Sequence, residues 1–200
     1  MAVLVLQVVL PQQVAAGPRW LVPALELGLL GPLVATNPVR LSRETTPLRL
    51  LALLLVTALA AVNVLHLAGL VTVVTTGARS DPRVLVQAAL LIWSTNVVTA
   101  ALAMWEIDRG GPYARAPLHH RPSTRPDLLF PQMTGVPGWD PVTWRPSFVD
   151  YLFVAFTAAT AFSPTDTLPL SARAKLVITA TASVSLLTIA VVAARAVNAL

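Results

Sequence analysis

The side chains that could carry chemistry are concentrated near the C-terminus, in a polar stretch that reads SPTDTLPLSA over residues 163–172. Ser163, Thr165 and Asp166 place two hydroxyls and a carboxylate within four residues. A carboxylate at the mouth of a path favours cations electrostatically, and the hydroxyls could line that path. The two prolines of the stretch exclude a continuous helix. The pattern therefore predicts a polar turn between two helices, with an inorganic cation as the class of ligand.

Four further polar side chains interrupt otherwise apolar runs. Glu26 is expected at a depth in the membrane where a charge is costly. One interpretation is an ion or proton relay, with Glu26 acting alone or paired with His66. The other is a snorkelling or neutral side chain that is hydrogen-bonded to a neighbouring helix. Asn63 and His66 share one helix face because they are three residues apart. Together with Asn96 they could form an intramembrane polar cluster, and interhelical hydrogen bonding is the interpretation we favour for them.

A stripe of hydroxyls follows the last apolar run. Thr181, Ser185 and Thr188 recur at helical spacing and would lie on one face of a helix. This face would line a pore, or it would be a close-packing face of the kind that lets membrane helices approach each other.

Enzyme and metal chemistry have little support in the sequence. The chain lacks a phosphate-binding GxxxxGK[ST] loop, a GxSxG nucleophile motif and an HExxH zinc motif, and it contains no cysteine. The adjacent pair His119–His120 has neither the spacing nor the carboxylate partners of a metal site. We therefore expect no enzymatic activity, no cofactor and no bound metal.

The elements that must position these residues are apolar helices. The 200-residue chain is 56% hydrophobic and only 12% charged, about half the charged share of a soluble domain. A bilayer core needs roughly 20 apolar residues as a helix. Four runs meet or approach that length, at residues 19–36, 48–74, 84–105 and 173–198. The sequence predicts an all-α polytopic membrane protein with about four transmembrane helices and a further short helix at 147–162.

The connection at residues 106–146 differs from the rest of the chain. It contains eight prolines and no apolar periodicity, and it predicts an irregular aqueous loop between a membrane domain at 1–105 and a hairpin at 147–200. Basic residues of this loop and of the 37–49 loop would place both loops in the cytoplasm by the positive-inside rule. The helix at 147–162 then either re-enters the membrane or crosses it as a very short span.

The stretch DYLFVAFTAATAFSPTDTLPLSARAKL resembles the pore region of two-helix, potassium-channel-like proteins. In that family an aromatic, Thr-rich pore helix leads into a TVGYG-type filter, an Asp and the inner helix. The resemblance aligns Thr160 and Ala161 with the threonine pair, Phe162 with the filter valine, and Ser163 to Thr165 with the Gly-Tyr-Gly positions. It places Asp166 on the following Asp, and it implies a homotetramer with the loop outside the cell. The chain is also similar to uncharacterised small bacterial multi-pass proteins.

One departure from this family is decisive for the type of filter. The chain has no glycine after Gly138, whereas a carbonyl filter needs glycine conformations. A potassium-type filter is therefore excluded, and selectivity would come from hydroxyls, from Asp166 or from an apolar constriction at Phe162.

Three functions remain open from the sequence. The first is a channel-like protein of the bacterial inner membrane that forms a homo-oligomer with a degenerate, weakly cation-selective pore loop. The second is a non-conducting scaffold or accessory subunit that docks a partner through the 106–146 loop. The third is a small-solute transporter that uses Glu26 and His66. The bilayer is the expected partner in every case, and nucleic acid in none.

Overall fold

The computed structural model describes residues 46–77, 81–115, 125–160 and 166–197, together with the single positions 11 and 24. The helices of these segments are, in chain order, α1 Thr46–Thr75, α2 Pro82–Ile107, α3 Pro112–Arg115, α4 Phe148–Thr160 and α5 Ala172–Val197. Two short strands, β1 Leu128–Leu129 and β2 Leu168–Pro169, pair in an antiparallel manner.

Three of the described helices, α1, α2 and α5, are long and apolar enough to cross a bilayer. They correspond to the runs predicted at 48–74, 84–105 and 173–198, so the prediction of an all-α membrane protein is confirmed. Asp81 starts α2 as an N-cap, because its carboxylate accepts a hydrogen bond of 2.8 Å from the Arg83 N–H and Pro82 begins the helix. Of the run predicted at 19–36 only position 24 is described, and Glu26 lies outside the described residues.

The spanning helices form an antiparallel bundle. Leu55 and Leu59 near the start of α1 pack against Val98 and Leu102 near the end of α2. At the opposite end, Leu67 and Leu70 of α1 pack against the first turns of α2 and the last turns of α5. Both α1 and α5 therefore run antiparallel to α2. We call the end that contains the α2 C-terminus and the α5 N-terminus the loop end, and the other end the distal end.

Helix α4 fills the space between α2 and α5 over part of their length. Its 13 residues rise about 20 Å, roughly half the length of α2. Tyr151, Val154, Ala155 and Ala159 of α4 are buried, and they share a core with Ala101 and neighbouring residues of α2 and with the start of α5. Small side chains at this contact allow the helices to approach closely.

The connection between α2 and α4 differs in one respect from the irregular aqueous loop that its proline content predicts. Leu128 and Phe130 are buried in the same core as Tyr151, and β1 pairs with β2. The pairing is brief because Pro169 has no N–H to extend the ladder. Part of the loop is therefore folded onto the bundle, through contacts between residues far apart in sequence.

Candidate functional site

The segment from α4 to the start of α5 enters and leaves the bundle at the same end. Phe148 begins α4 beside Trp105 in the last turn of α2, with ring centroids 5.9 Å apart. At the other end of α4, the Trp93 indole N–H donates to the Ala159 carbonyl over 3.4 Å, about halfway along α2. The chain is back at the loop end by Leu168, which pairs with Leu129.

Two of the five predicted pore-loop residues, Thr160 and Asp166, are described by the structure. Thr160 lies at the deep end of α4, where it is half-buried and donates its hydroxyl to the Thr157 carbonyl over 3.0 Å. Asp166 is exposed and lies two residues before β2, near the loop end. Phe162, Ser163 and Thr165 lie outside the described residues. The described geometry therefore places one hydroxyl at mid-depth and one carboxylate on the surface.

An apolar groove adjoins the deep end of α4. It has a volume of about 420 Å³, and it is lined by Trp93 of α2, Thr160 of α4, and Thr188 and Val192 of α5 among other residues. The Trp93 ring closes one wall, packing edge-on against Phe156 with centroids 5.6 Å apart. The lining of the groove is almost entirely apolar, so a bound molecule would find few hydrogen-bond partners there.

A network of two buried carboxylates joins the elements at the loop end. Asp108, fully buried after α2, accepts hydrogen bonds from the Tyr151 hydroxyl over 2.7 Å and from the Asp127 N–H over 2.8 Å. Asp127 in turn accepts from the Arg109 N–H over 3.1 Å. We call Asp108 and Asp127 the carboxylate pair; it connects α2, the loop and α4.

Arg173 joins α5 to the same network. Its guanidinium donates to both Asp127 carboxylate oxygens, from Nε over 2.6 Å and from Nη2 over 2.7 Å. Burial of Asp127 would by itself raise the pKa of this carboxyl. The hydrogen bonds, with that of Arg173 the strongest, outweigh burial and hold the pKa of Asp127 below its ordinary value. The α5 N-terminus is further tied by the Leu170 N–H, which donates to the Asp127 carbonyl over 2.8 Å.

Arg115 of α3 is buried between two aromatic rings. Its guanidinium carbon lies 4.7 Å from the Trp105 ring centre and 5.2 Å from that of Tyr151. It also donates to the carbonyls of Trp105 and Asp108, over 2.8 and 2.6 Å. Trp105 lies in the last turn of α2 and Asp108 directly follows this helix; the Asp108 carbonyl also accepts from the Gly111 N–H over 2.9 Å. Arg115 therefore acts as a cap on the helix C-terminus. Burial lowers the pKa of Arg115 from its high ordinary value.

The candidate residues predicted from the sequence do not include Asp108, Arg115, Asp127, Tyr151 or Arg173. The first and last of the five positions are 65 residues apart, the set has no regular spacing, and their contact depends on the folded loop. The only sequence signal is that charged residues adjoin the ends of predicted helices, which is ordinary for membrane proteins.

The intramembrane polar residues lie inside the bundle. Asn96 of α2 donates its amide to the Thr181 carbonyl and to the Ser185 hydroxyl of α5, each over 2.9 Å. Thr188 is also buried, so the hydroxyl stripe of α5 packs against neighbouring helices. Asn63 and His66 are buried on α1.

Most of the polar side chains described above already make hydrogen bonds within the protein. The carboxylate pair is occupied by hydrogen bonds that connect elements. Among the described residues no group of three His, Asp or Glu side chains is placed to hold a metal ion. His119 and His120 lie outside those residues. The arrangement suits anchoring of α4 and of the folded loop better than catalysis.

Comparisons with known proteins found no matching family model, no matching curated protein and no matching solved structure.

Proposed function

We propose that the chain is a channel-like integral membrane protein in which α4 and the turn that follows it form a pore loop for small cations. The observation that carries the proposal is the geometry of α4. A half-length helix starts at the loop end, stops about halfway along α2, and is followed by a chain that is back at the loop end before α5. Pore loops have this order of a short helix, a return and a long inner helix.

Electrostatics favours cations in such a path. The C-terminal end of a helix carries a partial negative charge, and that of α4 lies at mid-depth beside the Thr160 hydroxyl. The exposed Asp166 carboxylate adds a full negative charge near the loop end. No glycine is available for a carbonyl filter, so we propose weak selectivity among cations.

The pore itself requires neighbouring copies. Thr181, Ser185 and Thr188 are buried inside one subunit, so the stripe that they form does not line a path between subunits. Val149, Phe153 and Phe156 are instead exposed on α4, and they are available to a second copy. We propose a homo-oligomer, a tetramer by the resemblance to potassium-channel-like proteins, in a bacterial inner membrane.

Ion flux into liposomes tests the proposal. The reconstituted protein should pass monovalent cations, and Asp166→Asn should lower the cation-to-anion flux ratio several-fold. Asp140→Asn is the matched control, because Asp140 is an exposed carboxylate of the loop that is outside the α4–α5 segment. Absence of flux above empty liposomes would overturn the proposal, and so would an Asp166→Asn flux ratio equal to that of the wild type.

A second candidate is a non-conducting accessory subunit, and one observation favours it. The folded loop exposes Val136, Trp139 and Val142, the last with 74% of its surface accessible. Exposed apolar side chains of this kind suit a partner surface. A specific complex that survives purification and is lost in the double variant Trp139→Ser, Val142→Ser would support this candidate; a complex retained by that variant would count against it.

A further inference from the structure

Helix α4 covers the contact between α2 and α5 in one half of the bundle. It starts at the loop end and ends at Thr160, which lines the apolar groove together with Trp93, about halfway along α2. From this depth onward the groove lies between α2 and α5. The groove therefore begins where α4 ends, and it extends into the distal half of the bundle.

The groove has the length of one membrane leaflet. Val86 and Val192 line it, and they also line an adjoining cavity of about 70 Å³ that reaches Pro82 of α2 and Arg195 of α5. Between Trp93 and Pro82, α2 rises about 16 Å. The hydrocarbon core of a bilayer is about 30 Å thick, so one leaflet contributes about 15 Å. The two cavities together thus extend from the middle of the membrane to its distal surface.

One side of the groove is open. Val86, Leu90 and Ile189 form an exposed rim, whereas Thr188 is buried beneath it. Because α2 and α5 are long and apolar enough to span a bilayer, this rim faces lipid tails. An alkyl chain needs no hydrogen-bond partner, so it suits an apolar lining of this kind.

A cation lies at the distal end of the groove. Arg195 is in the last turn of α5, one turn beyond Val192, and it lines the adjoining cavity. It is half-buried, and within the described part of the chain it forms no ion pair and its Nε has no hydrogen-bond partner. Arginine binds phosphate groups through its charge and its several N–H donors. A phosphate at the end of a chain held in the groove would therefore meet a guanidinium that these residues do not neutralise.

We propose that the groove binds one acyl chain of a phospholipid from the distal leaflet and that Arg195 selects lipids with an anionic headgroup. The apolar lining holds the chain without regard to the headgroup. Selection comes from charge, because phosphatidylglycerol carries a net negative charge, whereas the ammonium group of phosphatidylcholine cancels that of its phosphate. The site lies in the distal half of the bundle and does not depend on ion conduction by the α4 pore loop.

Quenching of Trp93 fluorescence by brominated lipids tests the site in a bilayer. The full chain is reconstituted in phosphatidylcholine vesicles with a minor fraction of brominated phosphatidylglycerol or, in parallel, brominated phosphatidylcholine. The bromines are near the ends of the acyl chains, at the depth of Trp93. The Trp93 contribution is the difference between each protein and its Trp93→Phe form. We expect brominated phosphatidylglycerol to quench Trp93 several-fold more than brominated phosphatidylcholine.

Arg195→Gln tests the selection of the headgroup. This substitution should bring quenching by the two lipids to the same level. Arg83→Gln is the matched control and should keep the preference, because Arg83 is an exposed arginine at the same end that lines neither cavity. Equal quenching by the two lipids in the wild type would overturn the proposal. So would a preference that survives Arg195→Gln, or one that Arg83→Gln abolishes to the same degree.

Ala193→Phe tests the groove as the place of binding. Ala193 is exposed and lines the groove, so the added ring should occupy it and reduce quenching by brominated phosphatidylglycerol to the level of phosphatidylcholine. Ala194→Phe is the control, because Ala194 is exposed and outside the lining. Equal quenching in the two variants would overturn the groove as the site. If another part of the chain or a second copy filled the groove, neither lipid would quench Trp93 appreciably, and the proposal would also fail.

Discussion

Asp127 is the residue on which most of the loop-end contacts converge. Its side chain, 4% exposed, accepts from Arg109 and twice from Arg173, its backbone N–H donates to Asp108, and its carbonyl accepts from Leu170. A single residue thus joins the end of α2, strand β1 and the start of α5. Arg109 itself has a φ of 49°, which is uncommon outside glycine, and its N–H points at Asp127 in that conformation.

We predict that Asp127→Asn destabilises the folded protein by roughly 1.5–3 kcal/mol at neutral pH, the range for hydrogen bonds to charged groups. The Asn amide keeps one acceptor oxygen and replaces the other by an NH₂ donor, so Arg173 loses one of its two hydrogen bonds and the opposite charge. The measurement is the unfolding midpoint in mixed detergent micelles with increasing SDS. Asp140→Asn is the control, since Asp140 is exposed and its bonds are local; equal effects of the two substitutions would contradict the prediction.

The pH dependence of stability should report the same carboxylate. Its pKa in the folded protein is below the ordinary value, so the stabilisation is complete above the ordinary Asp pKa of about 3.9 and is lost as the pH falls through the folded value. Asp127→Asn should therefore flatten the stability profile below about pH 4 relative to the wild type. An unchanged acid profile in the variant would show that other carboxylates govern this range.

At the scale of elements, the apolar runs predict the spanning helices well because helix length and hydrophobicity are local properties. Runs 48–74, 84–105 and 173–198 match α1, α2 and α5 within a few residues. Contacts of the folded loop could not be predicted, since Asp108, Asp127 and Arg173 meet only after the chain has folded. Similarly, the sequence indicated a short helix at 147–162 without fixing where its ends lie in depth; that information is in the contacts of Phe148 and Ala159.

Packing of α4 provides a prediction at this scale. Ala155 is fully buried against α2 and α5, so Ala155→Leu would overpack the contact, at a cost of typically 1–3 kcal/mol. Val64→Leu is the control, because Val64 is 51% exposed on α1 and lies outside the α4 surface that is available to a second copy. The SDS unfolding midpoint should fall for the first variant and stay near that of the wild type for the second. Equal midpoints would mean that α4 is not held as closely as the structure indicates.

The basic side chains of the described residues are unevenly divided between the two ends of the bundle. Among the described residues, the basic side chains at the loop end are Arg49, Arg109, Arg115, Arg125, Arg145, Arg173 and Lys175, whereas Arg83 and Arg195 lie at the distal end. Excess Arg and Lys marks the cytoplasmic side of membrane proteins. This favours a cytoplasmic loop end, opposite to the orientation implied by the resemblance to potassium-channel-like proteins.

Cysteine labelling in cells tests both the orientation and the path of α4, because the chain has no cysteine of its own. Val142→Cys reports the folded loop, Asp166→Cys the end of the pore-loop segment, and Thr76→Cys the distal end. A re-entrant α4 requires that a membrane-impermeant maleimide reach Val142→Cys and Asp166→Cys from the same side and Thr76→Cys from the other. By the charge distribution, the first two should label only in inverted vesicles.

The pattern of labelling separates the two questions. If Asp166→Cys labels together with Thr76→Cys, α4 crosses the membrane as a short span, and the pore-loop proposal fails. If all three sites exchange sides while Val142→Cys and Asp166→Cys still label together, only the orientation is reversed. In that case α4 remains re-entrant, and the loop end faces outward as it does in potassium-channel-like proteins. The side on which Asp166 lies relative to Val142 is thus the observation on which the channel proposal depends most directly.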